Sequence, residues 1–279
     1  MQTTFEDMIN MLNKYAPDQF AEVWDNVGAM VGNKNQEITK ILLCLDVTKC
    51  VVEEATEKNC NLIISHHPFI FNPIKSIIEN DIKSKLIYSL IKNNIAVYCA
   101  HTNLDSIKGG VNSELSERIG LVNIKSFDDD DDDTHLGLNE TTSIKSEEAV
   151  YYGLATVGLI EECTLIDLAT RVKDRLSLPV VKYIGDSEKK VKNVAVFCGS
   201  FSSSPEEVME AGVNVVITGE LKHNYAVEFR DLGIAVIEAG HFRTEIGVLP
   251  VVKEAICKAF PDLIVEISSL EKDPYSYII

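Results

Sequence analysis

The 279-residue chain predicts an α/β fold made of two related halves, and three observations carry that expectation. Short apolar strand-like runs alternate with helix-patterned segments along the sequence, which implies a layered α/β sheet. Ile41–His67 lies on Val194–Glu220 without a gap when shifted by 153 positions, and within that window Glu53, Glu54, Glu57, Asn61 and Ile64 meet identical residues. Finally, IAVYCAHTNLD (Ile95–Asp105) lies on IAVIEAGHFRTE (Ile234–Glu245) with one extra residue, Gly240, so that His101 and Asp105 align with His241 and Glu245. Each half therefore reads strand, helix, strand, helix, strand, then His-x-x-x-carboxylate. This is the pattern of a tandem duplication with a polar centre shared between the halves.

The elements follow in order. Phe5, Met8, Ile9 and Leu12 recur at helical spacing over Phe5–Tyr15, and Ala29–Gly32 reads as a short strand. Ile41–Leu45 and Asn61–Ile64 are compact apolar runs of the buried-strand type, and Thr48 is a natural N-cap for a helix over Thr48–Asn59 between them. A helix over Ile82–Lys92, a strand over Ile95–Cys99 and a helix over Val111–Ile119 complete the first half. The second half resumes at Val150–Leu154, Leu165–Leu176, Val180–Ile184 and Val191–Cys198. Strands at Val213–Thr218 and Ile234–Ile237, one long helix near Thr244–Ala259 and a strand at Leu263–Ile267 close it. The expected organisation is a first α/β half over 1–126, an acidic linker over 127–148 and a second half over 149–279, the halves intertwined in one globular unit.

Composition narrows the function classes. The net charge is −17, and would still be −11 without Asp128–Asp133. Dispersed lysines on so acidic a chain argue against direct nucleic-acid binding and against anionic lipid. Apolar runs never reach the length of a membrane span, and MQTTFEDMIN has neither the basic nor the apolar region of a secretory signal. A soluble cytoplasmic protein is expected. Seven cysteines, scattered and never spaced C-x-x-C, read as small buried hydrophobes in a reducing compartment rather than as disulfides or thiolate ligands. Six consecutive aspartates cannot pack against one another, so the run reads as a solvated linker, with chelation the weaker alternative.

Four of the six histidines, His66, His67, His101 and His241, stand at expected strand ends, where α/β sheets gather ligands. Adjacent side chains on a strand point to opposite faces. His66 and His67 therefore reach one site only if the chain has left the strand, which Pro68 favours, or they diverge toward two neighbouring ions. A pair of polar loop residues is the plain alternative. His241 and Glu245, one turn apart on a helix opened by Gly240, share a face. Imidazole nitrogen and carboxylate oxygen are ligands for borderline divalent ions. The coincidence of placement, not any one motif, points to a metal site. His135 reads as exposed, and His223 as a helix residue near the same sheet end. Glu220, aligned with His67, is either a carboxylate that faces ligands or substrate, or a plain acid at a helix N-terminus.

In order along the chain, WDNVGAMVGN, LDVT, ISHHPFIF, AHTNLDS, YGLATVGLIEECTLIDLATRVK, VAVFCGS, VITGELKH and EAGHFRTE resemble the NGG-one-interacting-factor-three-like family, whose members are often described as GTP cyclohydrolase type 2 homologues. The resemblance covers nearly the whole chain. It implies a three-layer α/β/α fold from two related halves around a shared metal cleft, a dinuclear divalent-metal centre and a toroidal homohexamer. By motif position the implied metal ligands are His66, His67, Asp105, His241 and Glu245, with His101 a histidine near the metals. The roughly hundred-residue domain that longer members insert between the halves is missing, so the chain resembles a short form.

Two function classes follow. A metal-dependent hydrolase would use two ions (Zn, Fe, Mn, Co or Ni) to activate water against a phosphoryl group or ring carbon of a small molecule such as a nucleotide. His101 would then be the catalytic proton acceptor, with Glu220 the alternative. The other class is a non-catalytic metal-binding or transcription-related interaction scaffold. One consequence concerns the acidic run alone: replacing Asp128–Asp133 with Gly/Ser is expected to leave metal content and melting temperature unchanged. Loss of metal on that replacement would make the run part of the centre.

Overall fold

A computed structural model describes residues 2–128 and 150–278, so Asp129–Asp133 and His135 lie outside the described residues. The chain divides into two compact units, 1–104 with 249–272 and 105–248 with 273–279. Residues 105–126 of the expected first half fall in the second unit, and 249–272 of the expected second half fall in the first. Elements are numbered in chain order.

The first unit holds α1 (Phe5–Tyr15), β1 (Gly28–Val31), β2 (Lys40–Cys44), α2 (Lys49–Glu57), β3 (Leu62–Ser65), α3 (Ile82–Lys92) and β4 (Ala96–Cys99). Its sheet runs β1-β4-β3-β2, with β2, β3 and β4 parallel and β1 antiparallel to β4. Ile41, Leu42, Leu43 and Cys44 are all fully buried, as strands covered on both faces require. Leu42, Cys44, Ile63 and Val97 pack against Val51, Val52 and Ala55 of α2 and Leu86, Ile87 and Leu90 of α3. Thr48 and Asp81 cap these helices by accepting from the backbone N–H of Val51 and Ser84.

The one-turn helix α4 (Thr102–Asp105) lies at the division between units. The second unit then holds α5 (Val111–Ile119), β5 (Val122–Ser126), β6 (Thr156–Thr164), α6 (Leu165–Arg175), β7 (Lys182–Ile184), β8 (Lys190–Ser200), α7 (Pro205–Glu210), β9 (Val215–Glu220), α8 (His223–Leu232), β10 (Ala235–Glu238) and α9 (His241–Glu245). Its sheet order is β5-β6-β8-β9-β10-β7. Val194, Val196, Ile217 and Ile237 pack against α5 and α6. The alternate residues Ala195, Phe197, Val216 and Val236 pack against Val208 of α7 and Phe229 of α8. Helices thus cover both faces, the three-layer arrangement that the family resemblance implies. The long helix expected near Thr244–Ala259 is two helices, α9 and α10 (Val248–Ala259). Gly247 separates them where any side chain would run into the Glu114 carboxylate. The final strand β11 (Ile264–Ile267) joins the first sheet parallel to β2.

The internal repeat survives in the hydrogen bonding. Ile41 pairs with Leu62 as Val194 pairs with Val215, and Leu62 with Ala96 as Val215 with Ala235. The shared asparagine explains its own identity. Asn61 Oδ1 accepts from the backbone N–H of Thr39 (3.0 Å) and Lys40 (3.2 Å), and Asn214 Oδ1 accepts from Lys192 and Asn193 (3.1 Å each). Each asparagine satisfies the amides at the start of one strand from the start of the next. β1 and β7, each preceding its repeat, pair antiparallel with β4 and β10. No helix among the described residues is long and apolar enough to cross a membrane.

Glu54 ties the chain end into the first unit. Its carboxylate, 3% exposed, accepts from Lys58 Nζ (2.8 Å), Ser268 Oγ (2.5 Å), Ser269 N (3.0 Å), Ser269 Oγ (2.8 Å) and Leu270 N (3.3 Å). Burial alone would raise its pKa, but the donors outweigh burial and hold it at about 2, against an ordinary 4.5. A depressed carboxylate contributes stability that is complete above the ordinary value and is lost as pH falls through 4.5 toward about 2. Glu54→Gln is expected to lower unfolding free energy at pH 7 by roughly 3 kcal/mol and to flatten that acid limb. Urea melts at pH 7 and pH 3 check this, and equal losses at the two pH values would contradict it.

Candidate metal centre

In the first unit the functional side chains gather at the carboxyl ends of β2, β3 and β4. β3 ends at Ser65, yet His66 N and His67 N still donate to Cys44 O (3.1 Å) and Leu45 O (2.8 Å). Ser65 Oγ donates to His67 O at 2.9 Å, curling the chain just before Pro68. The two rings therefore lie on one side, their centroids 5.0 Å apart and tilted by 48°. His101 follows β4 and brings its ring to 5.1 Å from His66 and 5.7 Å from His67. One ring nitrogen from each of the three lies within 4.8 Å of the others.

What orients these rings is consistent across all three. His66, almost fully buried, has Nδ1 2.9 Å from the Ala100 carbonyl. A carbonyl only accepts, so Nδ1 carries the proton and donates, and Nε2 carries the lone pair. His67 Nδ1 lies 3.1 Å from Asp46 Oδ1, and His101 Nδ1 lies 2.9 Å from both oxygens of Asp25. The Asp25 side chain is fully buried. Burial would raise its pKa, but the donors His101 and Thr102 hold it at about 2. It also accepts from Thr102 N (3.1 Å) and Thr102 Oγ1 (2.5 Å). Asp46 is placed in turn by Glu271, which accepts from Leu45 N (2.8 Å) and Asp46 N (2.6 Å). Imidazoles held at Nδ1 by carboxylate or carbonyl oxygen are the usual form of metal-ligating histidines, so the donor set fits a divalent ion.

The second unit carries a different set. Gly240, at φ +83°, turns the chain from β10 into α9, and His241 and Glu245 meet one turn apart with Nε2 and Oε1 at 3.1 Å. Glu220, at the end of β9, brings Oε1 to 3.4 Å from the opposite ring nitrogen, Nδ1. Asp105 and Glu245 both lie close enough to Cys198 to act on its thiol. Burial first, then these two carboxylates and Glu114, push its pKa well up. The sulfur therefore stays a thiol, donating to Thr244 O at 3.5 Å. Two carboxylates sharing one neighbourhood favour a cation among them. The pairing of β8 with β9 shifts register between Phe197 and Ser200. Gly199, at φ +59°, sits in that irregularity, and a Cβ there would strike Glu245 Oε1 and come within 3.2 Å of the His241 ring. A Cβ on Gly219 would lie 2.8 Å from His241 Cα. Both glycines leave room for α9.

The structure thus brings His66, His67 and His101 together in one unit and His241, Glu245 and Glu220 in the other, with Asp105 opening the second. None of the seven cysteines forms a disulfide. Sequence reasoning assigned no role to Asp25 or Asp46. Asp46 carried one readable signal, an acid directly after the buried run LLCL. Asp25 stands in WDNVGAMVGN, one of the stretches that carry the family resemblance, but its bond to His101 depends on a loop meeting the end of β4.

The model of the Duf34/NIF3 (NGG1p interacting factor 3) family matches residues 3–274. A Clostridium acetobutylicum protein named GTP cyclohydrolase 1 type 2 homolog is 36% identical, over 99% of this chain and 100% of its own length. A Clostridium perfringens protein of the same name is 33% identical over 98% of both chains. The crystal structure of a Staphylococcus aureus hypothetical protein superposes with a TM-score of 0.86 at 30% identity, covering 100% of each chain. A Bacillus cereus protein related to NIF3 has the same fold, at a TM-score of 0.85 and 24% identity, over 100% of each chain.

Removing the groups that hold the rings is expected to weaken metal binding without unfolding the protein. Asp46→Ala and Asp25→Asn should each lower divalent-metal affinity by on the order of ten- to a hundredfold. Competition against a chromophoric chelator measures it, and wild-type affinity in both variants would contradict the reading.

Proposed function

The chain belongs to the Duf34/NIF3 family, and from that premise we propose that it is a metal-dependent hydrolase that binds two divalent ions. The proposed ligands are His66, His67, Asp105, His241 and Glu245, with His101 joining His66 and His67. The observation that carries the proposal is the uniform tethering of His66, His67 and His101 through Nδ1. The names of the Clostridium relatives support hydrolysis of a nucleotide-like small molecule. A donor set of nitrogen and oxygen suits Zn, Fe, Mn, Co or Ni.

When bound, such ions supply Lewis acidity to an electrophilic phosphorus or carbon and to water. The chain's own groups orient and carry protons. Asp25, Asp46 and the Ala100 carbonyl hold three imidazoles in the Nδ1–H form, so each presents Nε2. The grouping of His101 with His66 and His67 supports ligation over free proton transfer. Glu220, half exposed and beside His241, is then the carboxylate available to take a proton from attacking water. We also propose a homohexamer, which size exclusion with light scattering tests at about physiological salt.

Elemental analysis of protein purified without chelator, together with a hydrolysis screen of phosphorylated and nucleotide metabolites, tests the function. Two ions per chain are expected, lost in Asp105→Ala and Glu245→Ala. His101→Gln should lose metal, whereas Glu220→Gln should keep metal and lose turnover by on the order of a hundredfold. Full metal without turnover on any substrate would favour the scaffold class instead.

A further inference from the structure

Beside the three histidines the first unit exposes two large aromatic rings. Trp24, the single tryptophan of the chain, is 58% exposed and Phe71 is 48% exposed. Their centroids are 6.1 Å apart with planes tilted by 54°. The indole also meets the His101 ring edge-on at 6.3 Å and 75°. Isolated exposed aromatics are ordinary surface, but these two are held in place. Asp25, the next residue, is locked to His101 and Thr102. Glu22 N donates to Thr102 Oγ1 at 2.9 Å, and Asp25 N donates to Glu22 O at 2.9 Å. On the other side Asn26 Nδ2 donates to the carbonyl of Ile70, tying the Trp24 loop to the residue before Phe71. The same bonds that orient His101 thus fix an aromatic corner next to it.

We propose that Trp24 and Phe71 form a stacking subsite for a planar, uncharged heteroaromatic ring. A rigid indole face binds such a ring with little loss of side-chain entropy. The bicyclic indole face is matched best by a bicyclic ring. A ring on Trp24 lies beside the His101 imidazole, so its substituents reach the histidine cluster. That the ring belongs to the substrate of the cluster rests on the metal reading above; the stacking itself does not.

The experiment uses the full-length protein, metal-loaded and after chelation, with adenosine and cytidine as ring probes and ribose as control. Adenosine is expected to quench the emission of Trp24 saturably, cytidine more weakly and ribose not at all, with or without metal. By calorimetry, Trp24→Ala and Phe71→Ala should each weaken adenosine binding at least about fivefold, while Trp24→Phe restores it and both alanine variants keep wild-type metal content. Wild-type adenosine affinity in Trp24→Ala overturns the proposal. So does ligand-free Trp24 emission that is blue-shifted, shielded from acrylamide and dependent on protein concentration, because a second copy would then cover the rings. Quenching in a protein that takes up no metal leaves the stacking subsite standing and removes the metal reading. Two bound ions with no quenching do the reverse.

Discussion

A peptide carbonyl can offer a ring nitrogen nothing but an acceptor, and the bond between Ala100 O and His66 Nδ1 is where the rest of the site begins. It fixes a proton on one side of a buried ring and a lone pair on the other. The same choice is imposed on His67 by Asp46 and on His101 by Asp25. Three imidazoles so constrained turn the same kind of atom, a ring nitrogen lone pair, toward one another. A cluster of such atoms suits a divalent cation. The parallel strands make the arrangement unavoidable: the ladder that pairs Ser65 with Cys99 sets the ends of β3 and β4 side by side, and the histidines follow those ends.

The repeat shows how one scaffold gives two chemistries. The ladder registers and the Asn61 and Asn214 bonds are the same in both units. The residues after the strands are not. Where the first unit has His66 and His67, the second has Gly219 and Glu220. Gly219 is a consequence of packing, since a side chain there would collide with His241 and Thr244. The extra residue Gly240 permits the turn that brings α9 so close. The first unit therefore offers imidazole nitrogens, and the second combines one imidazole with several carboxylates.

Much of this was legible in the sequence because it rests on local pattern. The buried strands announce themselves as unbroken apolar runs, and Phe5–Tyr15, Ile82–Lys92 and Val111–Ile119 are helices over the expected residues. The identity of Asn61 and Asn214 is visible in the repeat, and the backbone amides each accepts from give its reason. What stayed hidden depends on contacts distant in sequence. Asp25 reaches His101 across 76 positions and Glu271 reaches Asp46 across 225, and no periodicity records either. The antiparallel strands β5 and β6 were not separated from their flanks, since their half-exposed alternation is weaker than a buried run. The exchange of 249–272 into the first unit is equally silent, because a strand such as β11 does not name its neighbour.

Which nitrogen of each histidine carries the proton before any metal arrives decides whether the fold alone prepares the site. Long-range nitrogen–proton correlation spectra of the chelated protein, recorded above the pH at which free histidine titrates and assigned by single His→Gln variants, measure this directly. His66, His67 and His101 are expected in the Nδ1–H form, with Nε2 bearing the lone pair in all three. An Nε2–H tautomer at His66, or rapid exchange between tautomers at all three rings, would contradict the claim that the fold itself prepares these histidines to hold a metal.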